Sequence, residues 1–148
     1  MNEMVENGEP WSPQKSAQLY QIQGWGLPYF SVSDEGHVQV APDPTRPRNI
    51  NLFELVQHLE ARGLDLPLLI RFSDIVEHRI KHINEAFERA IVEYEYPGIY
   101  RGVFPIKVNQ QCQVIEEIAR FGADYGHGLE CGSKAELLIA LASLDPDT

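Results

Sequence analysis

Cysteine is scarce in this chain: there are two, Cys112 and Cys131, 19 positions apart. Two cysteines give neither a disulfide framework nor the paired spacing of a zinc site. Cations are few as well. Twelve Lys and Arg stand against 22 Asp and Glu, for a net charge of −10. Nucleic acid and anionic membrane surfaces both select clustered Lys and Arg, so neither is expected as a partner. An acidic surface suits a cationic substrate, although excess negative charge also serves solubility alone. No apolar run approaches the ~18 residues of a membrane span. The opening residues, Met1 to Glu6, are acidic and polar, unlike a secretory or transit peptide. The expected compartment is cytoplasmic and reducing.

What the chain does contain is enough apolar sequence for a core, 43% against 23% charged, which sets it apart from disordered chains. Residues 1–16 carry Gly8, Pro10 and Pro13 among polar residues and read as a mobile leader. Residues 17–48 read as a β-rich region. Tyr29–Ser33 and His37–Val40 alternate, and Asp34-Glu35-Gly36 between them predicts a hairpin turn. Prolines 42, 44 and 47 then mark a linker. Residues 49–66 predict a helix and a connection. Asn51 and Glu54 have the spacing of a reciprocal cap, Leu52, Leu55, Val56 and Leu59 form the apolar stripe, and Gly63 stops it.

Residues 67–148 alternate between short apolar runs and amphipathic stretches. Pro67–Phe72 predicts a strand buried on both faces. Ser73-Asp74 predicts the cap of a long helix with Val76, Ile80, Ile83, Phe87, Ala90 or Ile91, and Tyr94 on one side. Tyr100–Val108 predicts a second strand, and Val114, Ile115, Ile118 and Phe121 a second helix ended by Gly122. A third strand is expected over Ala123–Leu129, then a helix capped by Ser133. The order β-α-β-α-β-α implies an α/β fold with parallel strands and helical crossovers. Three such units fall short of the eight in a closed barrel, which takes ~250 residues, so the pattern fits part of a barrel. A complete three-strand α/β domain is the other arrangement with this periodicity.

Lys107 is the first chemical candidate. A buried ammonium is costly, and burial favours the neutral amine that attacks an aldehyde to form a Schiff base. From spacing alone, the commoner arrangement is a lysine at the strand's end with its head in solvent. Glu130 is expected at the C-terminal end of the third strand, which is the catalytic face of a parallel barrel. Ser133-Lys134-Ala135-Glu136 matches a capping box, so capping is the first job expected of Glu136. His127 reads as a loop residue between glycines. Neither cysteine shows the surroundings of a nucleophile.

Two of these segments resemble a known family. Phe104-Pro105-Ile106-Lys107-Val108-Asn109-Gln110-Gln111 and Gly128-Leu129-Glu130-Cys131-Gly132-Ser133-Lys134-Ala135-Glu136-Leu137 are similar to motifs of biosynthetic arginine decarboxylases. Trp25–Val32 and Leu68–Ile75 resemble the family's opening β region and its first barrel strand. The resemblance runs from about residue 19 to 148. It implies the first three βα units of a TIM-type barrel that binds pyridoxal phosphate, preceded by a small β-rich region. It implies decarboxylation of L-arginine to agmatine in polyamine synthesis, by a homo-oligomeric enzyme also associated with magnesium. Lys107 matches the lysine that holds the cofactor, and Glu130 and Glu136 match carboxylates near it. Phe104, Cys112 and Cys131 stand where tyrosine, arginine and alanine are usual. Family enzymes are several times longer, so this chain is expected to be an N-terminal portion, inactive alone. Its specificity residues are expected beyond residue 148.

Overall fold

In the computed structural model, residues 10–46 and 48–144 are described, and they divide into two units, Met1–Arg71 and Phe72–Thr148. Residues 1–9 of the expected leader, Pro47 of the linker and the last four residues lie outside the described part.

The first unit begins with α1 (Pro13–Leu19), so the end of the expected leader is helical. The reason is local. Ser12 is extended, its side chain accepts from Lys15 N, and Pro13 sits in the first turn, where a missing N–H costs nothing. A second short helix, α2 (Ile22–Gly26), follows a left-handed Gln21 where β structure was expected. Gly26 is needed there because a Cβ would come within 2.8 Å of Phe30 Cβ. The hairpin forms as expected. Strand β1 (Phe30–Val32) pairs antiparallel with β2 (Val38–Val40), Phe30 opposite Val40, and β2 pairs with β3 (Ile50–Asn51). Gly36 has φ +86° in the turn, with its N–H on Ser33 O at 3.0 Å. Ile22, Tyr29 and Val40 are buried in this unit.

Helix α3 (Leu52–Ala61) starts at Asn51, whose side chain accepts from Phe53 N and Glu54 N. The reciprocal contact differs from expectation. Glu54 Oε1 accepts from the Asn51 side-chain amide at 3.3 Å. That amide also lies 3.0 Å from His37 Nδ1. Leu52, Leu55, Val56 and Leu59 are half-buried, as their spacing predicts. Gly63, at φ +84°, ends the helix with the double bond of a Schellman turn: Gly63 N–H to Glu60 O and Leu64 N–H to Leu59 O.

The expected strand at Pro67–Phe72 is a correction. These residues form no strand, and Leu69 is 75% exposed. A strand needs a neighbour for its N–H and C=O groups, and no described strand pairs with this segment.

The second unit is a βαβ arrangement with added helices. Helix α4 (Ser73–Glu93) is capped by Phe72 without a side-chain bond. Ser73 is not the expected cap: it is already the first residue of the helix, and its hydroxyl donates to Glu117 Oε1. Strand β4 (Val103–Pro105) is shorter than expected and passes into a 3-10 turn, Ile106–Val108. Helix α5 (Cys112–Gly122) continues into another 3-10 turn, Ala123–Tyr125, so the third expected strand starts later. It is β5 (Gly128–Glu130), parallel to β4, and α6 (Lys134–Ser143) follows.

Two clusters form the core. Ile80, Val114 and Ile118 make one, and Ile106, Ile115 and Ala140 the other. Phe104 and Leu129, partners in register, touch both. Ile106 and Ile115 are fully buried, which contributes about 2–3 kcal/mol each before cavity terms. The α4 stripe is fully buried only at Ile80, with Val76, Ala90 and Ile91 half-buried. Phe87 and Tyr94 are exposed because α4, at 21 residues, outruns its 11-residue neighbour α5.

Candidate active site at the strand ends

The two parallel strands place the sequence candidates together. Pro105, the last residue of β4, pairs with Glu130, the last residue of β5. Lys107 lies two positions beyond Pro105 on the 3-10 turn. Lys107 and Glu130 therefore emerge at the same end of adjacent strands, the end where parallel α/β folds hold their reacting groups.

Lys107 is exposed, which is the strand-end arrangement that spacing alone favours and not the buried one. The strand stops at Pro105, and Ile106 rather than Lys107 fills the core. Its amine is thus available at the surface. The turn is pinned on both sides. Ile106 is a fully buried peg, and Asn109 returns its N–H to Ile106 O at 3.1 Å.

Glu136 is buried at 8% exposure. The cap at α6 is shifted by one residue from the expected box. Ser133 Oγ accepts from Glu136 N at 3.2 Å, but the Glu136 carboxylate accepts from Gly132 N, at 2.7 Å, rather than from Ser133. Gly132 stands between the carboxylates. A Cβ built on it would lie 3.6 Å from Glu136 Oε2 and 3.8 Å from Glu130 Oε1. Glu136 therefore fixes the backbone just after Glu130. Sequence reasoning missed Gly132 and Asn109. The signals were the glycine next to the cap and an Asn two residues before the N-cap of a helix.

His127 sits at the other end of β5. Glycines 102 and 122 make its room, since a Cβ on Gly102 would collide with the imidazole and one on Gly122 would lie 2.7 Å from His127 Cβ. Burial pushes the His127 pKa down, and Nδ1 has no hydrogen-bond partner among the described residues. Beside it is an open cavity of about 540 Å³, lined by Glu116, Arg120, His127 and the end of α6. Its place is opposite to Lys107, so it belongs to the packing end of the strands. The Cys112 thiol is pushed up by its hydrogen bond to Glu116, which argues against a nucleophile.

The residues present fit one end of pyridoxal phosphate. An accessible primary amine just past a strand end, at the same end of the pair as Glu130, suits its aldehyde. The α6 N-terminus does not suit its phosphate, because Glu130 and Glu136 place negative charge there. Among the described residues no group of three or more His, Cys, Asp or Glu is placed to hold a metal ion. No helix among them is long and apolar enough to cross a membrane.

Comparison with known proteins bears out the resemblance. The chain is 56% identical over 136 residues to biosynthetic arginine decarboxylase of Gloeobacter violaceus, covering 92% of this chain and 21% of that protein. The chain is similar to a segment of biosynthetic arginine decarboxylases. The Nostoc sp. decarboxylase is also 56% identical, over 91% of this chain and 20% of its own length. The chain thus spans about a fifth of the length of these relatives. The crystal structure of the Campylobacter jejuni biosynthetic arginine decarboxylase matches with a TM-score of 0.77 and 34% identity, over 85% of this chain and 20% of that one. No family model matches. The likeness to these decarboxylases extends to an α/β fold with a small antiparallel sheet and a parallel one.

Proposed function

We propose that this chain is part of a pyridoxal-phosphate-dependent enzyme that converts L-arginine to agmatine and carbon dioxide, with Lys107 as the residue that holds the cofactor. The register of Pro105 with Glu130 carries the site, because it brings Lys107 and a carboxylate to one end of the parallel pair. The similarity to arginine decarboxylases supplies the reaction.

Lys107 would hold the cofactor through its amine, and Glu130 and Glu136 would flank it. When bound, pyridoxal phosphate supplies an electron-accepting ring that stabilises the charge left as carbon dioxide departs. The residues of this chain would handle protons and position. Glu130 would exchange a proton at Lys107 Nζ. Lys107 Nζ would carry the proton returned to the product. Glu136, through Gly132 N–H, would hold the strand end from which Glu130 projects. The same reading carries a first part of a barrel, of which β4 and β5 are the two parallel strands formed here, and a cytoplasmic homo-oligomer.

The test is a graft. Residues 1–148 replace the matching segment of the Gloeobacter violaceus decarboxylase, and products from arginine are identified by mass spectrometry. Agmatine from the graft, and none from the same graft with Lys107→Ala, is the expected result. A folded graft that leaves arginine untouched contradicts the proposal, and a different amine as product reassigns the substrate.

A further inference from the structure

Lys107 is exposed on a one-turn 3-10 segment, a kind of structure with few constraints of its own. Something must keep its amine at the strand end rather than sweeping through solvent. Ile106 anchors the side before it. On the side after it, the half-buried Asn109 makes two bonds in opposite directions along the chain. Its backbone N–H closes the turn on Ile106 O at 3.1 Å. Its side-chain Oδ1 accepts from Gln111 N at 3.0 Å. Gln111 is the N-cap of α5, and its carbonyl accepts from Val114 N and Ile115 N. Ile115 in turn packs in the same buried cluster as Ile106. A closed loop of contacts thus runs from Ile106 through Asn109 and Gln111 to Ile115 and back to Ile106, and Lys107 lies inside it.

Helix α5 has no side-chain cap on Gln111 itself, so the Asn109 acceptor ties the lysine turn to the helix start. From this we infer that Asn109 is a positioning residue for Lys107. It sets the direction of the turn that carries the amine without touching the reacting atoms. The inference rests on the reading of Lys107 as the cofactor-holding residue. Small displacements of a reacting group carry large rate penalties, so a side chain that fixes the turn affects the chemistry from a distance.

The test uses the whole 148-residue chain, pyridoxal phosphate as probe, and borohydride to trap the bonded lysine. Trapping at Lys107 is measured against Lys134 of the same molecule, a surface lysine that serves as internal reference. Amide hydrogen exchange at Gln111 and the unfolding midpoint are followed in parallel. Asn109→Ala removes the acceptor and is expected to lower the Lys107-to-Lys134 trapping ratio by about tenfold. Gln111 exchange should quicken while the unfolding midpoint stays close to the parent's. Asn109→Asp keeps an oxygen acceptor at a helix start and should restore the ratio to within about twofold. A parent chain that prefers Lys107, joined to an unchanged ratio in Asn109→Ala, overturns the positioning role and leaves the reading of Lys107 standing. A parent chain with no preference for Lys107 overturns both. Loss of the ratio in both variants together with a fallen midpoint assigns Asn109 to folding alone, which also overturns the inference.

Discussion

The Glu136 carboxylate accepts the backbone N–H of Gly132 at 2.7 Å, two residues beyond Glu130. One buried side chain thereby serves both the start of α6 and the end of β5. Glu136→Ala removes the acceptor and leaves Gly132 N–H without its partner. The expected loss is about 1–3 kcal/mol in urea unfolding. Glu136→Gln retains an oxygen acceptor and should lose less than half as much. Equal losses in the two variants would show that charge at the helix start, and not this hydrogen bond, is what matters.

Gly102 and His127 make a second testable pair. A Cβ on Gly102 meets the imidazole, so Gly102→Ala is expected to destabilise the second unit by at least about 2 kcal/mol. In a double-mutant cycle, His127→Ala should recover a large part of that loss, since the colliding ring is gone. Additive losses would mean that Gly102 is needed for its backbone rather than for the room it gives.

The same histidine sets a pH dependence. Burial lowers its folded-state pKa below the ordinary value near 6.5. The unfolded chain therefore takes up its proton first as the pH falls. Stability from this group is full above about pH 6.5 and is lost as the pH drops through that value towards the folded pKa. Unfolding midpoints across pH 5–8 should show this loss, and His127→Gln should flatten it over the same range. A variant with the parent's pH profile would move the effect to another group.

Much of this was legible in the sequence, for reasons that differ by element. The hairpin of β1 and β2, the α3 stripe with Gly63, and the buried face of α5 all follow from local periodicity and turn chemistry. These depend on near neighbours in the chain. Pro67–Phe72 was not legible, because an apolar run becomes a strand only when another strand pairs with it. Lys107 shows the same limit. Sequence placed it in a strand, whereas Pro105 ends the ladder and Ile106 takes the core position. That Lys107 and Glu130 share one end of the strands was legible from the β-α-β order, although 23 positions separate them, while a joint role for them was readable only through motif resemblance. The shift of the Glu136 bond from Ser133 to Gly132 depends on a one-residue offset that spacing does not resolve.

Ser73 and Glu117 join α4 to α5 through a side-chain hydrogen bond. Ser73→Ala is expected to cost about 1 kcal/mol, read as a lowered unfolding midpoint. Glu117→Gln, which keeps an acceptor for the hydroxyl, should cost less. No loss in Ser73→Ala would place the α4–α5 contact wholly in the apolar cluster of Ile80, Val114 and Ile118.

The central claim is that Lys107 is the lysine this chain offers to pyridoxal phosphate. The most direct measurement is to incubate the purified chain with the cofactor, reduce with borohydride and locate the adduct by peptide mass spectrometry. The account predicts modification concentrated on the peptide that holds Lys107, and its loss in Lys107→Ala. Labelling spread evenly over Lys15, Lys81, Lys107 and Lys134 would contradict it.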